Sequence, residues 1–199
     1  MRKRKIIIVI ASVIVLPLII SLALLFVPSS EVSSPIAFSS DDERVKLATG
    51  LNQRVISFES ALRNRKASHA SLDIDERELN AYIQASPEIQ KKIQDIGGKD
   101  VVVKLHKDRM LVGMRVPYKG TMFPASAIID IHQGLGRKLL VKIASVKIGS
   151  FPAPSSMVDA MINGSIRNGS VDLPPGVVNL EVGEGKVVMQ ATPASIQSR

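Results

Sequence analysis

The stretch KDVVVKLHKDRMLVGMRVPY, residues 99–118, alternates apolar and polar side chains along two short segments. A period of two is typical of β-strands that have one buried face. Because the connection between the segments is short, we expect two antiparallel neighbours. The residues expected on the shared apolar face are Val101, Val103, Leu105, Met110, Val112, Met114 and Val116.

The same alternation continues downstream. The segment MFPASAIIDIHQ, residues 122–133, leads to a Gly-Leu-Gly turn, and KLLVKIASVKIG, residues 138–149, places Leu139, Val141 and Ile143 on one face. Successive strands with short turns predict an antiparallel meander.

A hairpin, DLPPGVVNLEVGEGKVVMQ, follows at residues 172–190, built around a Gly-Glu-Gly turn. Both of its prolines precede the predicted ladder, so they remove no sheet hydrogen bond. We expect Val178, Leu180 and Val182 on one face, with Val188 joining that layer across the turn. The hairpin carries no reactive side-chain pattern, which suits the wall of a binding surface and equally suits a plain core.

Two capping boxes mark the starts of helices. Ser40 with Glu43 precedes a helix predicted at residues 41–66, and Asp75 with Glu78 follows a predicted strand. The apolar stripe of the first helix consists of Leu47, Leu51, Val55, Phe58 and Leu62. A stripe at this spacing either packs on the helix's own domain or self-associates as a coiled coil.

A further short amphipathic helix is predicted around Met157, Met161 and Ile162. The order of elements is then helix, strand, helix, strand meander, helix and hairpin. This order predicts an α+β fold, with residues 67–199 forming a domain in which helices pack on a curved antiparallel sheet.

The N-terminal region predicts a membrane anchor. Residues 6–27 are 22 residues without a charge, and at about 1.5 Å per residue they are long enough to span a bilayer. The basic run RKRK at residues 2–5 places the N-terminus in the cytoplasm, so residues 28–199 are expected outside it. Residues 28–40 read as a Ser- and Pro-rich linker. The alternative is a cleaved signal peptide, whose apolar region is usually shorter.

Composition argues against several classes of protein. The formal net charge is +8, of which four charges lie in residues 2–5, and Trp is absent. This is a poor pattern for nucleic-acid binding, which uses clustered cations on the folded part and stacking aromatics. Cysteine is absent, which excludes disulfides and thiol catalysis.

The sequence contains no pattern of catalytic residues. Nucleophile elbows, zinc-protease helices, phosphate-binding loops and dinucleotide glycine patterns are missing. His69, His106 and His132 are far apart in sequence, and the acids of residues 73–78 suit a helix cap better than a metal site. We therefore predict a protein that is not an enzyme and that has no cofactor and no metal.

Apolar surface is the remaining functional signal. Methionine adapts to irregular ligands, although it also fills cores. The residues predicted to line an apolar ligand groove are Val103, Met114, Val141, Met157, Met161 and Ile162. Four strand-borne cations could attract an anionic headgroup, although a solvated face is the simpler explanation and the one we favour: Lys104, Arg115, Lys142 and Lys147.

Three motifs follow one another within residues 68–192: LDIDERELNAYI, VKIGSFPAPSSMVDAMI and LPPGVVNLEVGEGKVVM. In this order they resemble the YpmS-like and LmeA-like envelope proteins, which are related to the tubular lipid-binding (TULIP, BPI-like) superfamily. The resemblance implies a long curved sheet wrapped on helices around an apolar groove, and a role in lipid binding, lipid transfer or envelope maintenance. It carries over no catalytic residue, and helix 41–66 is not part of the pattern.

The sequence thus leads to a membrane-anchored extracytoplasmic domain that binds a lipid or acyl chain. The alternative is a non-enzymatic structural or assembly module with a filled core that docks a membrane partner complex, or forms homo- or hetero-oligomers, through helix 41–66. An enzyme would require His106 or His132 to meet a carboxylate in a cleft, which the strand pattern does not suggest.

Overall fold

The computed structural model describes residues 36–63, 69–95, 97–118, 121–136, 138–148, 151–152, 168–174 and 176–192. The predicted anchor at 6–27 and the predicted short helix around Met157 lie outside these residues. Within the described ranges, no helix is both long and apolar enough to cross a membrane.

Three helices and nine strands are described. In chain order they are α1 (Asp41–Arg63), β1 (Ala70–Asp75), α2 (Glu76–Ala85), α3 (Pro87–Asp95), β2 (Lys99–His106), β3 (Arg109–Tyr118), β4 (Thr121–Gln133), β5 (Lys138–Ile148), β6 (Phe151–Pro152), β7 (Asn168–Asp172), β8 (Val177–Gly183) and β9 (Lys186–Ala191).

The strands form two antiparallel sheets. The long sheet has the order β2-β3-β4-β5-β6, with β7 also paired to β5, and the small sheet has the order β1-β9-β8. The predicted α+β class and the antiparallel meander are therefore confirmed. The closing hairpin, β8 and β9, lies in the small sheet beside β1 and does not extend the meander.

Apolar side chains cross the long sheet in rows because directly paired residues face the same side. One row runs Leu105, Met110, Ile129 and Ile143, and the next runs Val103, Val112, Ala127 and Val146. All eight side chains are buried. We call this side of the sheet the inner face.

The helices and the small sheet close much of the inner face. Leu51, Val55 and Phe58 of α1 join one contiguous core with residues of α2, α3 and both sheets. The stripe on α1 therefore packs on its own domain, as one of the two interpretations predicted. Arg54 and Glu78 form an ion pair between α1 and α2.

Side chains of α2 form hydrogen bonds with the backbone groups at the free edge of strand β2. Asn80 is completely buried, and its amide donates to Val103 O at 2.7 Å while its oxygen accepts from Val103 N at 2.8 Å. Glu76 Oε2 accepts from Leu105 N at 2.7 Å. The carboxylates of the second capping box, Asp75 and Glu78, are both engaged as predicted.

The side-chain pattern predicted for the hairpin is wrong at two positions. Val178 is a bulge residue, since Val177 and Asn179 oppose the adjacent residues Ala191 and Gln190. The bulge turns Val178 outward and leaves Val177 buried. Across the turn, Val187 and not Val188 pairs with Val182 and is buried.

Candidate functional site

The predicted groove residues that the structure describes are buried on the inner face. Val103, Met114 and Val141 all belong to the contiguous core. They lie on β2, β3 and β5, so they share a face without converging on one point. The other three predicted residues, Met157, Met161 and Ile162, lie outside the described residues.

Met114 is packed closely at the start of β2. A Cβ added to Gly98 would collide with Met114 Cε and would lie 3.2 Å from Ile93 Cγ2. Met114 therefore fills space between β3 and the end of α3. It is a core residue there and does not line an open groove.

The apolar inner face continues beyond this core toward the middle of β5. Ala127, Ile143 and Val146 are buried on the same face, but they do not belong to the contiguous core. We call these three residues the distal patch. Ile143 pairs with Ile129 and Val146 pairs with Ala127, so the patch ends the two central apolar rows.

The strand-borne cations are on the opposite side of the sheet, which we call the outer face. Lys104 shares a row with Leu111 and Ile128, and Lys142 shares a row with Arg109 and Asp130. Arg115 and Lys147 also alternate with inner-face neighbours. None of these four cations can line a site on the inner face.

A polar cavity of about 550 Å³ lies at the N-terminal end of α1. Its walls come from the segment before α1 and from α1, α2, α3 and β2: Ile36, Phe38, Ser40, Asp41, Arg44, Gln84, Gln90, Asp100 and Val101. Only the cap at Ser40 had a recognisable sequence signal. The other walls are distant in sequence, so no local pattern joins them.

The charged side chains that line this cavity are partly neutralised by ion pairs with each other. Arg44 pairs with Asp41 at 3.1 Å, and its buried Nε has no hydrogen-bond partner among the described residues. Nearby, Ser39 N donates to Glu43 Oε2 at 2.7 Å, and this bond holds the pKa of Glu43 below its ordinary value. Such walls suit water or a small polar molecule and do not suit an acyl chain.

The histidines form no catalytic arrangement in the described part of the chain. His106 Nδ1 lies 3.1 Å from Glu184 Oε2 at the surface. The backbone N–H of Lys107 donates to the same carboxylate, and together with His106 it lowers the pKa of Glu184. Across the described ranges, no group of three His, Asp or Glu residues could hold a metal ion.

A comparison of the chain with known proteins finds no matching family model, no similar curated protein and no similar solved structure. The resemblance to the YpmS-like and LmeA-like envelope proteins therefore stays a prediction from the three motifs.

Proposed function

We propose that the protein is a membrane-anchored extracytoplasmic domain that binds a lipid or an acyl chain against the inner face of the long sheet. In this proposal residues 6–27 are the anchor, and the basic run at residues 2–5 keeps the N-terminus in the cytoplasm. In this proposal the protein binds the ligand without a reaction. Apolar contact with the acyl chain supplies the affinity, at about 25 cal/mol per Å² buried.

The observation that carries the proposal is that the apolar inner face extends past the contiguous core. Its two central rows cross four strands from β2 to β5 with no polar side chain. The distal patch lies beyond the contiguous core that α1, α2, α3 and the small sheet complete. The patch continues both rows with apolar side chains alone, and an acyl chain needs a surface that is free of charge.

The ligand would lie on the distal patch, with Met157, Met161 and Ile162 as the predicted opposite wall. Those three residues lie outside the described part of the chain. Val103, Met114 and Val141, which the sequence also suggested, would lie beside the site, in the contiguous core on the same face of the sheet.

Photo-crosslinking tests the proposal without a substitution. The full chain is purified from a membrane-containing host, examined by native mass spectrometry and organic extraction, and then loaded with a diazirine fatty acid. We expect a co-purified lipid and adducts on the β5 segment that holds Ile143 and Val146. Absence of lipid together with no uptake of the fatty acid would reject the proposal.

A matched pair of variants tests the location. Val146→Asn places an amide in the distal patch, and Ala144→Asn places the same amide at an exposed bulge of the same strand. We expect fatty-acid uptake to fall only in Val146→Asn, with circular dichroism used to confirm that both variants fold. Equal uptake by the two variants would place the ligand elsewhere.

A second candidate, assembly through helix 41–66, is favoured by two exposed apolar side chains on α1. Val45 and Ile56 are 52% and 47% exposed. The buried stripe of α1 is not available to a partner, so docking would use this outward side. Ile56→Asp is expected to dissociate an oligomer of the full chain in light-scattering measurements, and an unchanged mass would argue against this function.

A further inference from the structure

The turn between β4 and β5 presents an apolar side chain at its tip. Leu135 is 97% exposed, the highest value among the large apolar residues of the described chain. Gly134 and Gly136 flank it, Gly136 has a φ of +70°, and Gly134 N donates to Lys138 O at 2.7 Å. This hydrogen bond joins the two ends of the turn beneath Leu135. The Leu135 side chain itself points away from the core into solvent.

A second exposed leucine adjoins this turn. Leu140 on β5 is about half exposed, and a Cβ added to Gly134 would lie 3.0 Å from Leu140 Cγ. The turn is also linked to the small sheet, since Gln133 Nε2 donates to Val178 O at 2.8 Å. Val178 is itself exposed. Apolar surface therefore gathers at this end of the molecule.

Cations accompany the leucines on the outer face. Lys138, Leu140 and Lys142 alternate along β5 and are all exposed, and Arg137 precedes them in the sequence. Asp172 lies opposite Lys138, and Asp130, opposite Lys142, binds Arg109 at 2.9 Å. These two acids offset part of the charge, and the side of β5 next to the leucines remains basic.

The tip lies at the opposite end of the domain from the start of α1. The cavity at the start of α1 includes Asp100, at the beginning of β2, whereas Leu62 at the end of α1 approaches Gly176. Gly176 follows β7, which pairs with the start of β5. Because α1 has 23 residues, it separates these ends by about 35 Å at 1.5 Å per residue.

We propose that the β4–β5 turn docks on an anionic lipid surface, with Leu135 inserted among the acyl chains and Lys138 and Lys142 at the headgroups. An exposed apolar side chain next to cations is the combination that interfacial membrane contacts use. The contact is separate from lipid binding on the distal patch. A domain that carries no lipid would still dock, so the two proposals fail in distinguishable ways.

The natural chain has no tryptophan, so a single substitution reports on the tip. The full chain with Leu135→Trp is reconstituted in nanodiscs, and vesicles of brominated phosphatidylglycerol are added. We expect a blue shift and quenching of the tryptophan emission, either with these vesicles or when the brominated lipid is in the nanodisc itself. Val45→Trp, exposed near the start of α1, is the control for the added vesicles and is expected to change little with them.

Charge supplies the second test. Lys138→Glu with Lys142→Glu is expected to lower the affinity for phosphatidylglycerol vesicles by tenfold or more, because each cation near an anionic surface contributes about fivefold. Lys91→Glu with Lys92→Glu changes the net charge equally on exposed residues of α3 and is expected to have a smaller effect. Unquenched tryptophan emission from the Leu135→Trp protein in both lipid arrangements, or equal effects of the two charge pairs, would overturn the proposal.

Discussion

Asn80 shows how one side chain can complete a sheet. It is 0% exposed, and its two hydrogen bonds to Val103 replace those of a neighbouring strand at the free edge of β2. Its Nδ2 also donates to Glu76 O at 2.7 Å. Both N–H groups and the oxygen of the side chain are therefore engaged, and its removal would leave the backbone N–H and C=O of Val103 buried without partners.

We expect Asn80→Ala to lower the free energy of unfolding by about 2–6 kcal/mol, because the two unpaired groups of Val103 cost about 1–3 kcal/mol each. Urea denaturation followed by circular dichroism measures this difference. Asn179→Ala is the matched control, since Asn179 bonds only weakly to Gln190, at 3.4 Å near the surface. A loss for Asn80→Ala no larger than the control's would contradict this role.

The sequence indicates that Asn80 is buried but does not indicate its partner. Asn80 follows Leu79 and precedes Ala81 and Ile83 on α2, and all four residues are buried. An amide among apolar side chains signals a buried hydrogen-bonding role. Its partner could not be predicted, because Val103 is 23 residues away and nothing local indicates which edge the helix covers.

Glu59 is a charged residue in an unfavourable place. It is 6% exposed on α1, and its Oε1 has no hydrogen-bond partner among the described residues. Arg63 is 3.8 Å away, which only partly offsets the loss of solvent, and burial raises the pKa of Glu59 above its ordinary value of 4.5. The folded protein therefore binds this proton more tightly than the unfolded chain does.

It follows that the contribution of Glu59 to stability is fully present below pH 4.5 and is lost as the pH rises through the raised pKa. We expect Glu59→Gln to be more stable than the natural chain at pH 7, and this advantage to shrink as the pH falls toward 4.5. Urea denaturation of both proteins at several pH values measures it. A difference that does not depend on pH would show that the carboxylate is not the cause.

At the scale of secondary structure, α1 carries an avoidable weakness. Gly50 lies inside this helix, and a Cβ added there would have open space around it. We expect Gly50→Ala to raise the free energy of unfolding by about 1 kcal/mol, because alanine restricts the unfolded chain and favours the helix.

Gly98→Ala serves as the opposite case in the same thermal and urea measurements. Its new Cβ would displace Met114 Cε, the flexible end of that side chain, and would lie 3.2 Å from both Ile93 Cγ2 and Ile93 O, which have less room to move. We expect a loss of about 1–3 kcal/mol from overpacking. If both glycine variants changed stability in the same direction, local space would not be the determining factor.

The periodic patterns predicted the elements better than they predicted the irregularities within them. The stripe on α1 and the faces of β2 and β3 followed directly from spacing. The bulges in β8 and β5 did not, since their extra residues, Val178 and Ala144, look like ordinary members of alternating strands. At each bulge the extra residue shifts the alternation, so the residues beyond it face the other side from the one that spacing predicts. Only the register between paired strands reveals this shift.

At the scale of the whole molecule, the closing hairpin connects parts that are distant in sequence. β9 pairs with β1 over residues 70–75, and Gly185 N donates to Leu105 O at 2.9 Å while Glu76 N donates to Gly185 O at 2.8 Å. The hairpin itself was predictable from local sequence. Its place beside β1 was not, because strand pairing between such distant parts of the chain leaves no local signal.

These connections predict that the two sheets unfold together. Met189 on β9 is fully buried in the shared core, so we expect Met189→Ala to cost about 2–5 kcal/mol. In native-state hydrogen exchange, protection should fall equally for amides of β9 and for those of β3 in the long sheet, because both exchange through the same global opening. Val188→Ala, at a half-buried position beside it, is the control and should change protection little. Faster exchange confined to β1, β8 and β9 would instead show that the small sheet opens alone, and the hairpin would then be a peripheral layer on an independently stable meander.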